Sequence, residues 1–228
     1  MCVIAVSAKG ARLPSKDELC RMFVHNPDGA GYMYARNGKV TIHKGFTCFS
    51  DLWRSIQSEH FTRQDTVIFH CRIATKGQAI PENTHPFPFS ADPTDHKHLD
   101  LICRCGIAHN GTIPLTRNIK SNYTDTTEFI TRYLVKIVQS SEDIHDPAIL
   151  DVIDCLTFSK LAFLFGDGSI ETVGNFTDIN GLLVSNTYYL YDTITNGNYT
   201  TSSKKHDWMY EPYTDFTSDY VFSNKGAY

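Results

Sequence analysis

The chain has 228 residues, of which 41% are hydrophobic and 20% charged, with a formal net charge of -4. That composition supports one large domain with a sizeable core and lacks the basic excess of a nucleic-acid groove or a membrane-surface patch. No apolar run approaches the about 18 residues that a membrane span needs, and the first residues lack the charged and apolar regions of a signal peptide, so a cytoplasmic location is expected.

Met1 to Ala8 reads as a buried strand. Ser15 followed by Glu18 forms a capping-box pattern that opens a helix to about Val24. Two strands follow, Ala30–Arg36 and Lys39–Lys44, joined by Asn37-Gly38, a strong hairpin signal. Ser50 to His60 reads as helix, Thr66 to Ala74 as an apolar strand, and Thr75 to His98 as a Pro-rich loop. One strand is expected over Leu99–Ala108, running into His109-Asn110-Gly111. Helices are expected over Thr126–Gln139 and Pro147–Leu156, then a hairpin of Lys160–Gly166 with Ser169–Gly174, then a strand over Asn180–Ser185. From Asn186 the chain turns Tyr-, Thr- and Ser-rich and holds eight of the twelve tyrosines, without periodicity. It divides into a domain over 2–185 and an extension over 186–228, packed on the domain or trailing from it. Strands and helices in this order imply α+β layers rather than alternating βαβ units.

Seven cysteines, an odd and scattered set, fit reduced thiols. Cys103 and Cys105, at period two, are expected as paired buried thiols on one strand face. His96 and His98 are expected in a solvated loop. Sequons at Asn110, Asn122, Asn175 and Asn198 would matter only in a secretory compartment. No metal cluster or cofactor motif is evident.

The chemistry begins at Cys2. Methionine is normally trimmed before a small second residue, which would leave a thiol and a free α-amine on one residue. That amine has a reference pKa of about 7.7–8.0, so it can act as a general base near neutrality. Three further motifs follow in order: His70-Cys71-Arg72-Ile73-Ala74-Thr75-Lys76-Gly77 at a strand end, Asn83-Thr84-His85-Pro86 in the loop, and His109-Asn110-Gly111 at the next strand end. An arginine there can grip a carboxylate through two hydrogen bonds. A side-chain amide beside a backbone N–H supplies the parts of an oxyanion hole. Thr124-Asp125-Thr126-Thr127-Glu128 opens a helix, where Asp125 read alone is a cap.

Together, and with Asn26-Pro27-Asp28-Gly29-Ala30-Gly31-Tyr32, these motifs resemble the class II glutamine amidotransferase domain, an N-terminal-nucleophile hydrolase. The resemblance runs from Cys2 to about Ser185. It implies a four-layer αββα sandwich of two antiparallel sheets. It implies Cys2 as nucleophile on the glutamine side-chain amide, and Asn110 with the Gly111 N–H as oxyanion hole. Arg72 would bind the substrate α-carboxylate, Asp125 its α-ammonium, and the backbone of Thr75 to Gly77 would close over it. Ile73 departs from the Trp that many such synthases carry, and Lys76 from their His. No synthase domain follows, so ammonia would pass to a separate synthase subunit or to water. Three other readings stay open: a stand-alone hydrolase of another γ-glutamyl amide, a non-catalytic binding module if Met1 is retained, and a bile-salt or penicillin acylase. His-Asn-Gly and Asp125 argue against the last.

Overall fold

The computed structural model describes residues 2–75, 77–119 and 121–190. The chain forms a mixed α/β fold in which every strand pair among the described residues is antiparallel. The elements are β1 (Val3–Ser7), α1 (Lys16–His25), β2 (Ala30–Arg36), β3 (Lys39–Phe46), α2 (Phe49–Ser58), β4 (Val67–Cys71), β5 (Phe87–Pro88), β6 (Asp100–Cys103), β7 (Cys105–Asn110), α3 (Asp125–Phe129), α4 (Val135–Ile137), α5 (Pro147–Thr157), β8 (Lys160–Phe165), β9 (Ile170–Val173), β10 (Thr177–Ile179) and β11 (Leu182–Val184). A seven-stranded sheet runs β10-β11-β1-β4-β2-β3-β6, and a four-stranded sheet runs β5-β7-β8-β9.

Local signals explain several elements. The Ser15 hydroxyl accepts from Glu18 N, and the Glu18 carboxylate accepts from Ser15 N, so the capping box starts α1. Asn37 and Gly38 both have positive φ, as a two-residue turn between right-twisted strands requires.

Alternation along the strands sorts side chains into three apolar clusters. In the first, α1 and α2 bury Leu19, Phe23, Leu52 and Ile56 on one face of the large sheet, against Val3, Ala5, Tyr32 and Phe69. Ile4, Val6, Met33, Ile42 and Ile68 take the opposite face and meet Ala108, Ala162 and Leu164 of the small sheet. The third cluster joins Ile107, Leu161 and Phe163 to Phe129, Leu134 and Ile153 of the later helices.

Four expectations need correction. The strand expected over Leu99–Ala108 is two strands in different sheets: β6 is an edge strand on β3, while β7 lies between β5 and β8. The break falls at Arg104, where the pattern changes from one-sided to wholly buried as the chain crosses between the sheets. Cys103 and Cys105 therefore do not share a strand face; the Cys103 thiol donates to Cys105 O at 3.3 Å. The helix over 126–139 is three pieces, with π spacing at Ile130–Leu134 between α3 and α4. The strand expected over Asn180–Ser185, by contrast, is present as β11 and pairs with β10 in a hairpin. His96 is buried, not solvated: it donates through Nε2 to Ser90 O at 3.1 Å and stacks on Phe87.

Asn186 to Leu190 continue onto the domain, with Tyr189 buried in the first cluster. The remainder of the Tyr-rich extension, residues 191–228, lies outside the described residues, as does Lys76. Among the described residues no helix is long and apolar enough to cross a membrane.

Candidate active site

The site forms where strand ends meet. In the antiparallel β1–β4 pair, Val3 is opposite Cys71. Cys2, just before β1, therefore stands beside Arg72, just after β4. Gly111 follows the end of β7, and Asp125 begins α3. A narrow cavity is lined by Cys2, Arg72, Ile73, Thr75, His85, His109, Gly111, Thr124 and Asp125. Five expected site residues thus come together: Cys2, Arg72, Thr75, Gly111 and Asp125. Asn110 and Gly77 are not among the lining residues.

Cys2 is buried, and its thiol is held by one backbone unit: Sγ donates to Ile73 O at 3.4 Å and accepts from Ile73 N at 3.3 Å. Burial pushes the thiol pKa up, while the Ile73 hydrogen bond and the Arg72 charge pull it back. Burial thus favours the neutral thiol. Asn186 Nδ2 donates to Cys2 O and fixes the backbone at Cys2.

Arg72 is also buried, and its Nη1 donates to Gln78 O at 3.1 Å. Its pKa is lowered by burial, offset by the charges of Cys2, Asp28 and Asp125. Asp28 fixes the strand exit: its carboxylate accepts from Ala74 N at 2.8 Å, and Arg72 N donates to Gly29 O at 2.7 Å. The early Asp-Gly segment thus sets the path of Arg72 to Ala74. Gln78 O also accepts from Asn83 Nδ2 at 3.0 Å. Gly77, at φ +78°, lets the loop turn here; an added Cβ would stand 3.3 Å from Asn83 Nδ2.

Asp125 is not the helix cap. Thr124 takes that role, its hydroxyl accepting from Thr127 N at 3.1 Å. The Asp125 carboxylate accepts from Ile113 N at 2.9 Å and Thr126 N at 3.0 Å. A carboxylate offers about four acceptor positions, so Asp125 keeps capacity for a ligand cation. Thr75 Oγ1 stands 3.4 Å from Thr112 Oγ1 at the cavity wall.

Gly111 is required by geometry. Its φ of +148° is strained for an L side chain, and an added Cβ would fall 2.6 Å from Ser159 Oγ. The Asn110 side chain turns instead to Ser185, donating through Nδ2 to Oγ at 2.8 Å.

No protein-family model matches the chain, and no curated protein matches it. Among solved structures, one similar chain is the allosteric regulatory enzyme of purine biosynthesis, with a TM-score of 0.42 and 18% identity over 81% of this chain and 41% of that one. The present chain thus spans about two-fifths of that enzyme's length.

Sequence reasoning assigned no role to His70, His85, His109 and Thr126, although three motifs contain the histidines. All four are buried. The Thr126 hydroxyl stands 3.0 Å from His85 Nε2 and 2.9 Å from His109 Nδ1, and His70 Nε2 donates to His109 O at 2.9 Å. A hydroxyl has one proton, so at least one of the two rings must give its N–H to Thr126. Burial lowers the pKa of all three histidines, that of His70 to about 3; for His109 the Asp125 charge opposes the shift. Together with Thr126 they form one neutral hydrogen-bonded cluster, of which His85 and His109 line the cavity. Among the described residues no three potential ligands converge on a metal position.

The cavity thus gathers a buried thiol, one cation and one anion, with Gly111 at its wall.

Proposed function

We propose that the chain is an N-terminal-cysteine amidohydrolase of the class II glutamine amidotransferase type, built as an αββα sandwich, that cleaves the side-chain amide of glutamine. The observation that carries this reading is the single cavity joining Cys2, Arg72, Gly111 and Asp125 from four distant segments. Once Met1 is removed, the α-amine of Cys2 takes the thiol proton. The sulfur then bonds to the amide carbon, and the oxygen takes the charge, held by the Gly111 N–H and the Asn110 amide. The C–N bond breaks as the amine returns the proton to the leaving nitrogen, which departs as ammonia. Water then attacks the thioester, releasing glutamate and restoring the thiol.

In this reading Arg72 grips the α-carboxylate, Asp125 holds the α-ammonium, and the segment from Thr75 to Gly77 closes over the head group. No cofactor takes part. A separate synthase subunit or water would take up the ammonia, and the odd, scattered set of cysteines supports a reducing compartment such as the cytoplasm. A second reading, hydrolysis of a larger γ-glutamyl amide, is favoured by Ile73 at the cavity wall, where many synthases carry Trp.

The test pairs intact mass with ammonia release from glutamine. Active protein should begin at Cys2, and Cys2→Ala should be inactive. Full activity with Met1 uniformly retained would overturn the mechanism and leave a binding module as the better reading.

A further inference from the structure

Ser185 follows β11 and stands beside Ile4. Ser185 N donates to Ile4 O at 2.9 Å, and Ser185 Oγ accepts from Ile4 N at 2.8 Å. The same oxygen accepts from Asn110 Nδ2 at 2.8 Å. This arrangement leaves Asn110 Oδ1 buried and without a partner among the described residues. The Ser185 hydroxyl proton has no acceptor among them either. Two complementary groups, an acceptor and a donor, are unused on neighbouring side chains, although buried polar groups are nearly always paired.

A half-turn of the Asn110 amide exchanges its oxygen and nitrogen with almost no change of shape. Ser185 would then keep the Ile4 N–H and give its own proton to Asn110 Oδ1. The Asn110 NH2, with both protons, would take the position now held by the unpartnered oxygen. We propose that this is the working arrangement, and that Ser185 is a positioning residue that orients the Asn110 amide as an oxyanion donor. The inference rests on the acyl-transfer reading above. In the unturned orientation one amide proton is committed to Ser185, and an oxygen, which repels an oxyanion, occupies the other side. In the turned one every buried group of the pair except the NH2 is satisfied, and the NH2 is left for the charge that develops.

The experiment is steady-state glutamine hydrolysis by the full chain and its Ser185→Ala, Ser185→Cys, Asn110→Ala and Ser185→Ala/Asn110→Ala variants, each checked for folding by thermal melting. Ser185→Ala should lower kcat roughly 10–100-fold with KM within about two-fold, less than loss of the donor itself. Ser185→Cys keeps the shape but donates weakly, so its kcat should also fall, and it carries the test should the alanine variant not fold. In the Asn110→Ala background, Ser185→Ala should have no further effect, because its target is gone. Wild-type kcat in folded Ser185→Ala or Ser185→Cys would overturn the proposal. So would an equal loss in both backgrounds, which marks a merely structural serine. If Asn110→Ala is slow while the Ser185 variants are not, only this inference fails. If the wild type cleaves no γ-glutamyl amide, the reading of the site fails and takes the inference with it.

Discussion

The thiol of Cys2 and the peptide of Ile73 hold each other: Sγ–H points to Ile73 O at 3.4 Å, and Ile73 N–H points to Sγ at 3.3 Å. Burial keeps the proton on sulfur, so reactivity depends on the group that removes it. Iodoacetamide near neutrality should therefore modify exposed Cys155 before buried Cys2. An electrophilic glutamine analogue should reverse that order, because Arg72 and Asp125 would seat it beside the thiol. Peptide mapping of both reactions decides this. Preferential labelling of Cys71 or Cys105 by the analogue would mean that another thiol is the nucleophile.

Asn110→Ala should lower kcat by roughly 10²–10³, about 3–4 kcal/mol, with KM nearly unchanged, since the charge it meets exists only in the transition state. Initial rates across glutamine concentrations provide the check. An unchanged kcat in a folded variant would remove Asn110 from the oxyanion hole.

Selectivity follows from the two buried charges. N-acetylglutamine and glutaric monoamide both keep the carboxylate but lack the ammonium, so both should be cleaved roughly 10⁴-fold less efficiently than glutamine. Arg72→Lys should also be poor, because an ammonium cannot reproduce a two-pronged grip. The comparison is kcat/KM on these compounds. Equal values for glutamine and its N-acetyl derivative would exclude Asp125 as the ammonium site, and preference for a γ-glutamyl conjugate would favour the second reading.

Acid should unfold the protein early. Burial holds His70 down to about 3 and His96 down to about 4, and lowers His85 and His109 as well. These folded-state values lie below the about 6.5 of an unfolded histidine, so the unfolded chain takes up protons first as pH falls. Stability is thus intact above pH ~6.5 and is lost below it, by up to about 1.4 kcal/mol per pH unit for each histidine. The urea midpoint should drop clearly between pH ~7.5 and ~5.5, and His96→Gln should lessen the drop. Equal midpoints at the two pH values would contradict neutral burial of the cluster.

Elements set by local chemistry were legible in the sequence. The Ser15–Glu18 box, the Asn37-Gly38 turn and the apolar run of β4 each carry their cause within a few residues. The break at Arg104 was not, because nothing between Cys103 and Cys105 signals a crossing between sheets; only the two sets of partner strands do. His96 was misread for a similar reason: Phe87 and Ser90 bury it from across a fold of the loop. At the site, motif residues marked the cavity wall, yet Asp28 and Ser185 hold it through contacts that no spacing rule reports. Thr124 rather than Asp125 caps α3, and that one-residue difference leaves the carboxylate for the cavity.

The strand that carries Cys2 is an inner one, and its partner on one side comes from the far end of the domain: Ile4 N meets Ser185 Oγ, 181 positions away in sequence. During synthesis at about 5–20 residues per second, β1 therefore waits roughly 10–40 seconds for β11 to be made. So distant a pairing is also slow to close. Through that interval β1 has β4 on one side and no partner on the other. In the proposed mechanism, the order of chain growth thus gives trimming of Met1 time to act before β1 is held on both sides.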